Sequence, residues 1–123
     1  MRDTLDEGRE TGEFCGQRAK WLHQTPTDRS NTPTLIGLHH LLILSGIKWI
    51  NPGPSLEWID RLDKTIRPHS QVCAITSGHL NRAYVRRFSS SLVSVAPATS
   101  IQLTLDLPKI DMTVQAGREI LIE

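Results

Sequence analysis

The sequence lacks most of the features by which a chain announces its chemistry. It has two cysteines, Cys15 and Cys73, far apart and without repeated spacing. That excludes a disulfide framework and an ordinary cysteine-based zinc module. Charge of one sign is absent: 14 Lys and Arg oppose 13 Asp and Glu, a formal net charge of +1. No global field draws in nucleic acid, anionic lipid or an acidic substrate, so any such binding needs a local patch. Aromatic residues are scarce, at 5%. Long hydrophobic runs are missing too. The longest apolar tract, Leu35 to Ile50, is interrupted by His39, His40 and Lys48 and falls short of the roughly 20 residues of a spanning helix. The acidic, polar start lacks the basic flank and apolar heart of a secretory signal, and the expectation is an intracellular, cytoplasmic protein without a transmembrane segment.

What is present is a two-residue period in the last quarter. Ile101, Leu103, Leu105 and Leu107 alternate with Ser100, Gln102, Thr104 and Asp106, and the pattern resumes with Ile110, Met112 and Val114. Such alternation reads as half-buried strand. Pro108 fits a tight hairpin poorly, because its fixed φ does not suit the primed turns that match strand twist.

Upstream, residues 1–12 are charged and nearly free of large apolar groups and read as a disordered tail. Residues 13–33 read as a short helix, Glu13 to Gln24, followed by a Thr/Pro-rich linker from Thr25 to Pro33. A single α+β domain then occupies 34–123. Thr34 is placed to cap a helix through Leu35, Leu38, Leu41, Leu42 and Ser45, with a buried strand over Leu41 to Ile50 as the alternative. Ser55 to Ile66 is the best-specified helix. Trp58, Ile59, Leu62 and Ile66 form its apolar stripe, and Glu57–Arg61, Asp60–Lys64 and Asp63–Arg67 form acid-before-base pairs four apart. Gln71 to Thr76 reads as strand, Ser77-Gly78 as a turn, and Arg82 to Val95 as one or two strands. The expected fold class is α+β: amino-terminal helices packed in two layers on a carboxyl-terminal antiparallel β-meander.

Four groups of residues are candidates for function. Arg82, Tyr84, Arg86, Arg87 and Phe88 combine guanidinium groups with rings and suit single-stranded nucleic acid. Arg86-Arg87-Phe88-Ser89 matches a basophilic kinase acceptor, with Ser89 as the phosphorylation site. His69, Cys73 and His79 supply zinc donors if the strand near Cys73 folds back, but no fourth ligand accompanies them. On a helix, the adjacent His39 and His40 point about 100° apart and do not grip one ion, so no metal site is expected. The fourth group is Ile120, Leu121 and Ile122, apolar on both faces of a terminal strand that can recruit another chain by edge pairing.

No nucleophile elbow or phosphate-cradling glycine loop is present, so no catalytic residue and no cofactor is assigned. The leading expectation is a non-enzymatic interaction or self-assembly module with a protein partner or a second copy, of the kind found in viral matrix or accessory proteins. Its alternatives are a small nucleic-acid-binding protein and a small enzyme whose site is invisible in sequence.

Overall fold

A computed structural model of the chain describes residues 3–9, 11–45 and 56–99 and two further short strands, 101–103 and 114–116. In chain order the elements are α1 (Gly16–Thr27), β1 (Thr34–Gly37), α2 (Glu57–Ile66), β2 (Val72–Ser77), β3 (Tyr84–Phe88), β4 (Ser91–Val95), β5 (Ile101–Leu103) and β6 (Val114–Ala116). This is a small α+β fold. Among the described residues, no helix is long and apolar enough to cross a membrane.

The sheet is mixed, and not an antiparallel meander. Its order is β1-β2-β4-β3, with β1–β2 and β2–β4 parallel and β3–β4 antiparallel. The hairpin accounts for the antiparallel pair: Phe88 faces Ser91 across a two-residue turn, and Ser89 takes a φ of 54°, as the primed turns that match strand twist require. The segment containing α2 crosses back to make β1 and β2 parallel, while the loop after β2 skips one position at the same end of the sheet, so that β4 inserts between β2 and β3 and runs parallel to β2. The alternation of the last quarter does give an antiparallel pair, with Gln102 opposite Gln115. Pro108 and Ile120, Leu121 and Ile122 lie outside the described residues.

The sheet's register sorts side chains between its two faces. Ile36 aligns with Ile75 and Ile75 with Val93, and this row faces the helices. Ile75 and Val93 are fully buried. The next row, Leu35, Ala74 and Leu92, belongs to the opposite face, where Leu35 and Leu92 are exposed. The helix expected from Thr34 is therefore a strand. The leucine spacing imitates a helical stripe, but a ladder with β2 packs the half-buried Ile36 against the core and satisfies backbone groups that a helix would have paired internally. Leu41, Leu42 and Ile43 are buried in the irregular segment that follows.

α2 follows its apolar stripe. Trp58, Leu62 and Ile66, at spacings of four, are buried and pack with Val72, Ile75 and Val93 in one core. Ser55 lies outside the described residues, and Leu56 at the N-cap makes no side-chain capping bond. Asp60 and Glu57 in the first turn and Lys64 in the last complement the helix dipole. Lys64 meets Asp60 at 2.6 Å, and Arg67 meets Asp63. Arg61 leaves Glu57: its guanidinium donates to the Phe14 carbonyl at 2.7 Å and lies 3.6 Å from the Glu13 carboxylate. A tertiary acceptor replaces the local one and fastens α2 to the start of α1.

α1 runs three residues past its expected end, with Pro26 buried in its last turn. Ala19 and Leu22 pack on the core while Trp21 stays exposed. In the segment read as a tail, Thr4 and Gly12 are both buried.

Leu62→Ala leaves a cavity beneath α2 and is expected to lower unfolding free energy by about 2–5 kcal/mol in urea titrations. Leu92→Ala, on the open face, is expected to change it by less than about 0.5 kcal/mol.

Candidate functional site

Because β1 and β2 are parallel, the residues that follow them emerge at the same end of the sheet. The pairing continues past both strands: the Leu38 amide donates to the Thr76 carbonyl at 3.0 Å and the Gly78 amide to the His39 carbonyl at 3.2 Å. This sets the backbone of His39 beside that of His79. His79 and Asn81 then adopt φ values of 68° and 52° on either side of the buried Leu80. Leu80 anchors the loop in the core while its neighbours stay half-buried at the rim.

Three imidazoles gather there. The ring centroids of His39 and His79 are 5.1 Å apart, those of His39 and His40 5.4 Å, and those of His40 and His79 5.8 Å. Nε2 of His39 lies 3.2 Å from Nδ1 of His79, so the two share a proton, one ring donating to the other. The expected absence of a joint role for His39 and His40 rested on helical geometry. The strand and the irregular chain after it, together with the loop after β2, bring both rings to a third.

His40 is buried, and its Nδ1 lies 2.7 Å from Oγ1 of Thr4. That contact holds one ring nitrogen, fixing the orientation of the imidazole. Burial lowers the His40 pKa below the ordinary histidine value, and His39 and His79 lower it further against a small opposing effect from Asp3. Burial therefore favours the neutral form of His40. Gly12 makes room for it: a Cβ at residue 12 would stand 2.9 Å from Cγ of His40 and 3.0 Å from Cζ2 of Trp58. Two buried polar atoms of these elements, Nε1 of Trp58 and Oγ of Ser77, have no hydrogen-bond partner.

Near neutral pH a neutral imidazole accepts a proton and an imidazolium gives one up, and the nitrogens of the neutral form are also donors to divalent ions. Among the described residues, no group of three or more His, Cys, Asp or Glu has the arrangement of a metal site.

The other sequence candidates go elsewhere. His69, Cys73 and His79 do not converge. β2 separates His69 from His79, His69 pairs with His23, and the exposed Cys73 thiol turns back to the Gln71 carbonyl at 3.3 Å. Tyr84, Arg86 and Phe88 share the inner face of the edge strand β3, and Tyr84 and Phe88 pack against the core. Arg86 lies over the Tyr84 ring at 5.5 Å, so that ring already has a cation on it. Arg87 is on the other face and, with Phe88, lines a cleft of about 380 Å³ against Leu44 and Asp63. Arg82 sits half-buried before β3. Ser89 is half-buried in the hairpin turn, its hydroxyl 3.4 Å from the Asp63 carbonyl.

No protein-family model matches the chain. It is similar to a probable glycerophosphodiester phosphodiesterase from Arcobacter nitrofigilis, 25% identical over 107 residues, which is 87% of this chain and 39% of that protein. It is also similar to a probable cyclic nucleotide phosphodiesterase from Synechococcus, 29% identical over 100 residues, 81% of this chain and 38% of that protein. The chain thus spans about two fifths of the length of these curated relatives. Both likenesses are to enzymes, which overturns the non-enzymatic, edge-mediated assembly module expected from sequence. Leucine spacing around the four-residue strand predicts a helix on which His39 and His40 diverge, and His79 lies too far along the chain to be linked to them; the adjacent pair His39-His40 is the signal the sequence offers.

Gly12→Ala forces Cβ into His40 and Trp58 and is expected to cost about 1–3 kcal/mol of stability, with displaced His40 resonances in ¹H–¹⁵N spectra. Thr4→Val removes the hydroxyl at Nδ1 and is expected to change the His40 ring ¹⁵N shifts while leaving those of His23 in place. The lowered His40 pKa also carries a sign. As pH falls, the unfolded chain binds this proton first, so stability present above about pH 6.5 is lost below it, down to the lowered folded value. His69, lowered chiefly by burial and then by His23, adds to the same slope. Thermal midpoints measured from pH 8 to pH 5 are expected to fall less steeply in His40→Gln.

Proposed function

We propose that this chain is part of a phosphoesterase-type enzyme that cleaves phosphodiesters, with His39, His40 and His79 at its reacting centre. The observation that supports this reading is the placement of the three imidazoles, just past the carboxyl ends of two parallel strands, within the region similar to both phosphodiesterases. Ligands of open α/β sheets bind outside the carboxyl ends of their strands.

The chemistry required is attack on phosphorus and departure of an alkoxide. When the pair carries one extra proton, the imidazolium N–H of one ring, His39 or His79, is the donor available to the leaving oxygen, and the neutral ring is the base that takes a proton from the attacking water. Protonated, either ring also offers positive charge and an N–H to the oxygens of the transferring phosphoryl group. His40, neutral and fixed by Thr4, supports the geometry of the pair. Substrates of the class named for the relatives, glycerophosphodiesters and cyclic nucleotides, are the natural ones to assay.

Hydrolysis of bis(4-nitrophenyl) phosphate, cyclic AMP and glycerophosphocholine by the purified protein, with and without added Mn²⁺ or Zn²⁺, tests the reading. His79→Asn and His39→Asn are each expected to reduce kcat about 10²–10⁴-fold with little change in thermal midpoint. Turnover that survives both substitutions would place the reacting centre elsewhere, and a protein inert toward all three substrates under every metal condition would overturn the proposal.

A further inference from the structure

A second pair of histidines stands at the other end of β2. His23 lies in α1 and His69 in the turn between α2 and β2. Nδ1 of His23 is 3.0 Å from Nε2 of His69, and the ring centroids are 4.8 Å apart. From the pair and its surroundings we infer a two-imidazole site for a divalent transition ion of the imidazole-binding class, Ni²⁺, Cu²⁺ or Zn²⁺, that clasps α1 to the start of β2.

Three observations carry this. The first is the separation. Two nitrogens each about 2.0–2.1 Å from one ion lie roughly 2.9 Å apart at a right angle and about 3.3 Å apart at the tetrahedral angle, so the observed spacing lies between the two. An ion takes the place of the shared proton at this separation once both rings tilt to aim their nitrogen lone pairs at a point off the line between them.

The second is rigidity. The His69 amide donates to the Ile66 carbonyl at 2.8 Å, and the His69 carbonyl accepts from Val72 at 3.1 Å. On the facing side, Nε2 of Gln71 donates to the Pro26 carbonyl at 2.8 Å, and the Thr27 hydroxyl donates to the His23 carbonyl at 2.7 Å. Both backbones are therefore held before any ion arrives, which reduces the ordering that binding must supply.

The third is access and protonation. His69 is buried and His23 exposed, so an ion reaches the pair from the His23 side and keeps water on its open positions. Burial favours the neutral, ligating form of His69, and His23 is the other charged-state group acting on it. No carboxylate among the described residues forms an ion pair with either ring.

The test isolates this pair from the histidines at the opposite end of the sheet. In a His39→Ala, His79→Ala background, NiCl₂ or ZnCl₂ at pH 7.5 is expected to raise the thermal midpoint saturably, by about 4 °C or more at tenfold excess over Kd, with one ion bound per chain by calorimetry. The rise should weaken as pH falls, because protons compete with the ion for the imidazole nitrogens, and should vanish on adding His23→Ala, an exposed position. A rise that persists with His23→Ala, or no saturable binding below 1 mM, would overturn the inference. Either result is independent of phosphodiester hydrolysis, which that background removes by design.

Discussion

The parallel pairing of β1 with β2 is the constraint on which the rest of the structure depends. A parallel pair puts like ends together, and here the like ends carry His39-His40 on one strand and Gly78-His79 on the other. An antiparallel arrangement of the same two segments would have left these rings a strand length apart. β2 also runs parallel to β4, so it is flanked on both sides, and its Ile75 is among the most completely buried residues of the core. The stability of the central strand and the assembly of the histidine cluster are one requirement.

The chain before α1 completes the arrangement. Thr4 contacts His40, Gly12 leaves the space His40 and Trp58 occupy, and Glu13 and Phe14 receive Arg61 from α2. A segment with almost no apolar content thereby becomes structural through hydrogen bonds and close approach. Polar contacts of this kind have no periodicity, which is why composition made the segment look like a solvated tail.

Legibility in the sequence followed the length of each pattern. α2 was readable because ten residues carry a stripe, paired charges and a following Pro68, all in agreement. From Arg82 to Val95 a run that fits one strand or two, divided in the structure by the hairpin at Ser89-Ser90, made the β character of β3 and β4 readable. β1 was not, since four residues of alternation are shorter than the leucine spacing that surrounds them. A helix over Thr34 to Ser45 sends His39 and His40 in divergent directions, so the leucine spacing hides the site as well as the strand. Parallel order was equally hidden, because the partner of a parallel strand lies far along the chain and leaves no local turn signature. The pairing of His23 with His69, 46 residues apart, is invisible for the same reason.

The vacancy at Gly12 reaches beyond packing. A methyl group there meets two side chains at once, one belonging to the cluster of imidazoles and one to the core, so the smallest possible substitution is felt in both. Removing the imidazole alone would therefore not open residue 12 to a side chain, because the indole of Trp58 still stands 3.0 Å from the same point.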